Sequence, residues 1–588
     1  MSGKIATLRA AWPMLSRAIG RGQLCNPQCK LVEPSPDIAA DHDVEVPIGG
    51  NVVLTANVFR SIARTGAGLA DPVVMCAHPY DNHLTPALDG TPLGGPPHQY
   101  RLIPQAEGTP RFSTLTSWEA PDPDFWVQAG YTLVNLNLPG YANSGGTAEF
   151  VSARQGEDYY RAIRWVADQS WCNGRIGLTG VSYLAISQYH AAVAAARDGD
   201  ASPLKCISPW EGLSDLYRDV ACRGGVDDPG FFNFWWHTEV KETLNNSEAD
   251  LVAREGALPE DLVKLRPLFD AYWATKAADF SRVITPMLVC GSFSDHELHT
   301  PGSFRAFEQA SSARKWLYTH RSGKWVAFYS DEVKALLKDF MDHHLKGESN
   351  RFDTLPPVRL EVRSSRTKIH DVRWEPTWPL PKTNFRKLHL VPDGLNRSKL
   401  EQATEVCYDA ISGSAKFDMR FDEDTELSGP MKLCLWVEAR PARAGDPCPD
   451  DIVLCVYVEK RDASGEPVRF NGAIGIADDM LTRGYMRVSR RGLDVARSTE
   501  WLPVAAGNRE EKLSPGQIVR VDIALCPSST FFAAGEGIRL IVSPREEVGA
   551  PVFRKDTSAN AGHHVLHVGG SYDAHLLVPV IPSQTAPP

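Results

Sequence analysis

The stretch Arg175–Arg197, RIGLTGVSYLAISQYHAAVAAAR, constrains this chain more than any other: a short β-type run reaches Gly180-Val181-Ser182 and passes directly into an alanine-rich helical run. A residue at the tip of such a turn is held in a strained conformation that lifts its side chain clear of the sheet and sets the following backbone N–H groups beside it. Gly180 suits the turn because strand and helix approach too closely there for a β-carbon. The helix N-terminus adds partial positive charge where an oxyanion would form. Ser182 is therefore the candidate nucleophile, although the fifth residue of the motif is Leu184 where glycine is usual. An ordinary G-x-S turn satisfies the same letters, so the assignment needs partners elsewhere in the chain.

With 588 residues the chain exceeds what one core can organise, and two to four domains are expected. Its net charge of -10 and the lack of any basic block argue against nucleic acid as a partner. Of the 12 cysteines only Cys25 and Cys29 are close in sequence, and no second pair stands at zinc spacing. Neither metal nor cofactor is expected, and the cysteines read as apolar fillers in a reducing, cytoplasmic setting. The N-terminal run MSGKIATLRAAWPMLSRAIGRGQ carries Lys4, Arg9, Arg17 and Arg21 among apolar residues. That pattern predicts an amphipathic helix packed on the body or on a second copy of the chain rather than an export signal. No run approaches transmembrane length, so no membrane partner is expected.

In chain order, DVEVPIGGNVVLTANVF (Asp43 to Phe59) predicts a hairpin about Gly49-Gly50, and Pro72–Ala77 a buried strand running into His78-Pro79-Tyr80-Asp81. Leu84 to Pro121 reads as a long loop, Gly130 to Gly146 as a strand and glycine-rich turn, and Glu157 to Trp171 as a helix. Strands alternating with helices imply a mainly parallel sheet covered on both faces. Residues 205–280 interrupt it with helical runs and the aromatic cluster Phe231, Phe232, Phe234, Trp235 and Trp236. The sheet resumes near Thr285 with a strand ending toward Asp295, and a last strand, Lys315–Thr319, ends in His320. Beyond about Ser349 six alternating runs separated by Gly and Pro predict a β-sandwich. The expected organisation is an extension over 1–40, an α/β domain over 41–204 and 281–348, a helical cap over 205–280, and an all-β domain over 349–588.

The order Ser182, Asp295, His320 is that of nucleophile, acid and base in α/β-hydrolases. His320 would take the Ser182 proton and Asp295 would fix its tautomer, with the Tyr80 phenol and the Tyr183 N–H as oxyanion donors. His299 is a second possible base, but it stands four residues from Asp295 in the same connection, and His320 is preferred. His296 and His299 lack a third ligand for a metal. Trp210, Phe234, Trp235 and Trp236 are candidate pocket walls.

The motifs PYD (Pro79 to Asp81), WCNG (Trp171 to Gly174), GVSYL (Gly180 to Leu184), SFSD (Ser292 to Asp295) with Leu298-His299-Thr300, and Thr319-His320 together resemble the family of X-Pro dipeptidyl-peptidases, cocaine esterase and α-amino acid ester hydrolases. In the rear half WPLP from Trp378, SGP from Ser428 and GEGIR from Gly535 are similar to its jelly-roll domain. The resemblance covers the chain from about residue 40. It implies an α/β-hydrolase fold with a helical cap and a C-terminal jelly roll, and a Ser182, Asp295, His320 triad with Tyr80 as oxyanion donor. NLPG (Asn137 to Gly140) departs from the family's Asp-x-Arg-Gly. Glu297 fits a position where amino-ester hydrolases hold a substrate ammonium, but Leu298 replaces the next carboxylate. The expected activity is hydrolysis of a small ester or amide through an acyl-enzyme. The alternatives are a dipeptidyl aminopeptidase acting after proline, and an inactive relative whose sandwich binds carbohydrate or mediates assembly.

Overall fold

A computed structural model describes residues 2–20, 29–86, 97, 99–102, 108–473, 478–549 and 552–582. Ten strands form the first sheet: β1 Ile38–Gly49, β2 Val52–Ser61, β3 Asp71–His78, β4 Thr132–Asn137, β5 Cys172–Val181, β6 Leu204–Trp210, β7 Met287–Ser292, β8 Lys315–His320, β9 Val358–Arg363 and β10 Ile369–Glu375. Their spatial order is β1-β2-β4-β3-β5-β6-β7-β8-β9-β10, antiparallel at both margins and parallel from β4 to β9. The parallel strands β3, β4 and β7 are buried along their whole length, so β3 and β7 carry continuous apolar runs, while β4 holds the buried polar Asn135 and Asn137 among its apolar residues. The expected hairpin is β1-β2, turning through Gly49 and Gly50 at positive φ.

Helices α1 Ser2–Gly20, α2 Ala153–Ala167, α3 Tyr183–Ala195, α4 Pro229–Trp235, α5 Glu248–Glu255, α6 Pro259–Leu265, α7 Thr300–Gln309, α8 Lys324–Phe328 and α9 Asp331–Met341 flank or cap this sheet. α2 starts four residues before the expected Glu157 because the Ser152 hydroxyl accepts the Gln155 N–H and caps it. Its apolar face buries Tyr159, Ile163 and Val166 and half-buries Ala167. Residues 205–210, assigned to the cap by sequence, belong instead to strand β6; the helical insertion follows it. Much of the expected loop from Leu84 to Pro121 lies outside the described residues. α1 buries Ala10, Met14 and Ala18 and lies against residues 99–102 and the cap at 229–240. Among the described residues no helix is long and apolar enough to cross a membrane.

The rear half is two antiparallel sheets. One contains Asn384–Val391, His575–Ile581, Thr425–Arg440 and Val519–Phe532, with Thr404–Asp409 joined through His563–Val568. The other orders Ala415–Arg420, Gly537–Ser543, Val453–Arg461 and Thr482–Arg487. Leu433, Leu435 and Leu576 of the first share one core with Phe417, Val456 and Leu540 of the second. Alternation along each strand thus buries one face of each sheet against the other.

Candidate active site

Ser182 sits between β5 and α3 at φ 60°, ψ -117°, a conformation that non-glycine residues rarely occupy. Gly180 makes the turn possible: a Cβ there would stand 2.6 Å from Leu184 Cβ. Leu184, the departure from the usual motif, is thus the side chain that fills the space against Gly180. Ser182 N–H donates to Trp210 O at 3.1 Å, so the neighbouring strand end also holds the elbow.

The Ser182 hydroxyl faces His299: Oγ lies 3.2 Å from Nε2, and the other ring nitrogen, Nδ1, lies 2.5 Å from Asp295 Oδ2. The Asp295 assignment therefore meets its serine through a different histidine from the one preferred on sequence. Asp295 and His299 stand on one turn closed by Leu298 N–H and Thr300 N–H donating to Asp295 O at 3.2 and 3.0 Å. The turn bends the chain so that residues four apart face each other. His320, at the end of β8, is committed elsewhere. Its Nε2 lies 3.1 Å from Glu211 Oε1, its Nδ1 accepts Ser322 N–H at 3.1 Å, and its ring stacks on Trp210. Both nitrogens are occupied, and none of these contacts reaches the serine.

A cation completes the cluster. Lys324 Nζ, at the start of α8, lies 2.7 Å from Asp295 Oδ2 and 2.9 Å from His299 Nδ1. Lys324, Asp295 and His299 are all buried. Burial works against the charged form of Asp295, yet Lys324 and His299 together hold its carboxyl well below the usual range. His299 is shifted down, by burial first and the adjoining ammonium second.

Tyr80 follows β3 and lines the same cavity as Ser182, His299 and Lys324. The Trp235 indole N–H donates to its oxygen at 3.3 Å, which leaves the phenol's own O–H to point into the cavity. Its loop is fixed by Asn82 N–H donating to Asn137 Oδ1 at 2.9 Å, so Asn137 of the divergent NLPG run supports the phenol's position. The N–H of Tyr183 opens α3 and belongs to the amides that a first helical turn leaves without an internal partner. The Tyr183 hydroxyl donates to Gln155 Oε1 at 2.8 Å, and its ring stacks on Trp235 in the cavity wall. Tyr80→Phe is expected to lower kcat about 10²–10³-fold with little change in KM, as for loss of one oxyanion donor; steady-state kinetics on an activated ester checks it.

The cavity is walled chiefly by Trp118, Phe150, Phe231, Phe234, Trp235 and Trp325. Phe234 and Trp235 are thus pocket walls as expected. Trp210 and Trp236 are not: both are wholly buried, Trp210 packing on Tyr318 and His320, Trp236 against Phe150. Two acidic residues missed in the sequence, Glu119 and Glu239, also reach the cavity. Burial raises the Glu119 carboxyl to about 8, against the pull of Lys324 and of the Trp325 N–H that donates to it at 3.1 Å.

Glu297 is not in this cavity. It turns to the opposite side of the 295–299 turn, into a buried network with the sandwich. It pairs with Arg483, accepts the Tyr485 O–H at 2.7 Å and lies 3.4 Å from Lys555 Nζ. Arg483 also pairs with Asp479, whose other oxygen lies 3.2 Å from His296 Nδ1. Asp295 and His299 therefore serve the serine, and His296 and Glu297 between them serve the sandwich.

The model of the X-Pro dipeptidyl-peptidase S15 family matches residues 49–325, and that of the X-Pro dipeptidyl-peptidase C-terminal non-catalytic domain matches residues 350–577. A CocE/NonD family hydrolase from Staphylococcus aureus is 32% identical, with a TM-score of 0.82 over 95% of this chain and 100% of its own. Cocaine esterase from Rhodococcus sp. is 24% identical over 537 residues, 78% of this chain and 89% of the relative. An α-amino acid ester hydrolase shares the fold at 14% identity, with a TM-score of 0.64 over 92% of this chain and 97% of its own.

Proposed function

We infer from its membership of the CocE/NonD, X-Pro dipeptidyl-peptidase-like family, to which this chain belongs as a serine hydrolase, that it cleaves esters of bulky apolar acids through an acyl-enzyme on Ser182. The hydrogen-bonded run Ser182–His299–Asp295, opening into a cavity walled by aromatic rings, carries this reading. In it His299 Nε2 takes the Ser182 proton as Oγ attacks the substrate carbonyl carbon, and Asp295 accepts from Nδ1–H of the resulting imidazolium. The Tyr80 O–H and Tyr183 N–H donate to the carbonyl oxygen as it becomes an oxyanion. His299 then returns the proton to the leaving alcohol, and water repeats the sequence to free the acid. An apolar wall favours the acyl group by removing its surface from water, at about 25 cal/mol per Å².

The sandwich, read here as a jelly roll, serves as a buttress to the catalytic turn, and the helical insertion after β6 forms the pocket's lid-side wall. A cytoplasmic setting is supported by the described cysteines, which are all free thiols.

The test is turnover of p-nitrophenyl esters of increasing acyl size, beside a Gly-Pro-anilide, with Ser182→Ala as control. Rates should rise with acyl bulk, and Ser182→Ala should cost about 10⁴-fold or more and abolish fluorophosphonate labelling. Turnover of the anilide alone would transfer the assignment to the dipeptidyl-peptidase reading. One observation favours that second reading: Glu119 and Glu239 give the cavity two acidic groups, and an ammonium beside Glu119 would draw its raised carboxyl back toward the ionised form. Preference for an α-amino ester over its des-amino analogue distinguishes the two.

A further inference from the structure

We propose that Lys324 is a positioning residue of this site: its ammonium shares the Asp295 carboxylate with His299 and so sets how readily the imidazole holds a second proton. The inference rests on the reading of Ser182, His299 and Asp295 as the catalytic run.

Two donors, His299 Nδ1 and Lys324 Nζ, converge on one oxygen, Asp295 Oδ2, at 2.5 and 2.7 Å, and stand 2.9 Å from each other. A neutral imidazole has a single N–H. With that proton on Nδ1 it donates to Asp295, and the Nε2 lone pair faces Ser182, the productive tautomer. With the proton on Nε2, the bare Nδ1 would accept from Lys324 and the serine would lose its base. Asp295 thus favours the productive form, and Lys324 competes for the same carboxylate.

The charge acts in one direction. Buried Lys324 keeps its proton because Asp295, Glu211 and Glu119 outweigh the cost of burial. A fixed positive charge beside Nδ1 disfavours the doubly protonated ring. The charges facing His299 come from every side: Asp295 on its own turn, Lys324 from α8, Glu211 beyond β6, and Glu119 acting on Lys324. The other nearby titratable ring, His320, is hydrogen-bonded to Glu211. The base form of His299 should therefore persist at lower pH than an Asp–His pair alone would allow. Its imidazolium, once formed, should be a stronger acid toward the leaving group. Methionine, similar in length to lysine but uncharged, removes the charge while leaving Asp295 its histidine donor.

The test compares wild type, Lys324→Met and Lys324→Arg in two pH profiles: kcat/KM for p-nitrophenyl butyrate, and the rate of fluorophosphonate labelling of Ser182. Activity requires neutral His299 and falls as pH drops through its titration, so removing the ammonium should move the acid limb upward, by about one pH unit or more. Lys324→Arg keeps the charge and should leave the limb near that of wild type. An unmoved acid limb in a folded Lys324→Met protein overturns the proposal. So does loss of labelling at every pH, which would make the amine itself the base. Nitrogen-15 NMR of the wild-type histidines provides a readout independent of the variants. His299 should titrate below the ordinary histidine value of about 6.5, and titration at or above it contradicts the proposal. Wild type that is never labelled at Ser182 removes the hydrolase reading and this inference with it; labelled wild type with an unshifted variant removes only the inference.

Discussion

His299→Ala is expected to lower kcat/KM about 10⁴-fold or more, and His320→Ala to lower the melting temperature while kcat/KM stays near the wild-type value. The first variant removes the group that accepts the serine proton, as in triads where loss of the base leaves only the oxyanion donors and binding. The second leaves the buried Glu211 carboxylate with the Ser292 hydroxyl, which donates to it at 2.8 Å, and without its imidazole partner. A buried acceptor stripped of one partner costs about 1–3 kcal/mol. Fluorophosphonate labelling separates the two cases: His320→Ala should still label Ser182 and His299→Ala should label far more slowly. Equal loss of labelling in both would return the base to the end of β8.

Arg483→Met should destabilise the chain by about 3–5 kcal/mol, the range for breaking one side of a buried ion pair. Arg483 is fully buried between Glu297 and Asp479, and its Nη1 also donates to Val548 O at 2.8 Å. Without it Glu297 keeps only Lys555 and Tyr485, and Asp479 loses its closest cation, inside the seam between the α/β half and the sandwich. Because Glu297 lies between Asp295 and His299 in sequence, the loss should also reach the chemistry as a fall in kcat larger than any change in KM. Urea unfolding followed by tryptophan fluorescence, together with kinetics at a temperature where the variant is folded, checks both parts. Unchanged unfolding would mean that the pairs do not stabilise the seam.

Much of the fold was legible because its signals are local. Parallel strands buried on both faces leave unbroken apolar runs, and the strained turn at Ser182 needs the glycine two residues before it. Asp295 was legible from its place beyond the C-terminal end of β7. The base was not, because chain order pointed to the next strand end, whereas the deciding geometry lies in hydrogen bonds from Leu298 and Thr300 back to the Asp295 carbonyl. Those are backbone bonds that any residue can make, and they leave no period in the sequence. The D-x-x-x-H spacing was the available signal for His299. Trp235 and Trp236 were equally apolar on paper. Successive helical residues point about 100° apart, so only the orientation of α4 in three dimensions gives one the cavity and the other the core. Glu297 was read toward the substrate because it stands where amino-ester hydrolases hold an ammonium. The turn sends it the other way, to cations more than 180 residues further along the chain. Glu119, Glu239 and Lys324 come from loops and short helices without periodic pattern, and packing alone brings them together.

Placing acid and base on one five-residue turn also gives catalytic competence a single point of failure. A local opening of residues 295–299, far smaller than unfolding of the sheet, would withdraw both groups from the serine in one event. Amide exchange in that turn and the rate of reversible inactivation should then report the same motion.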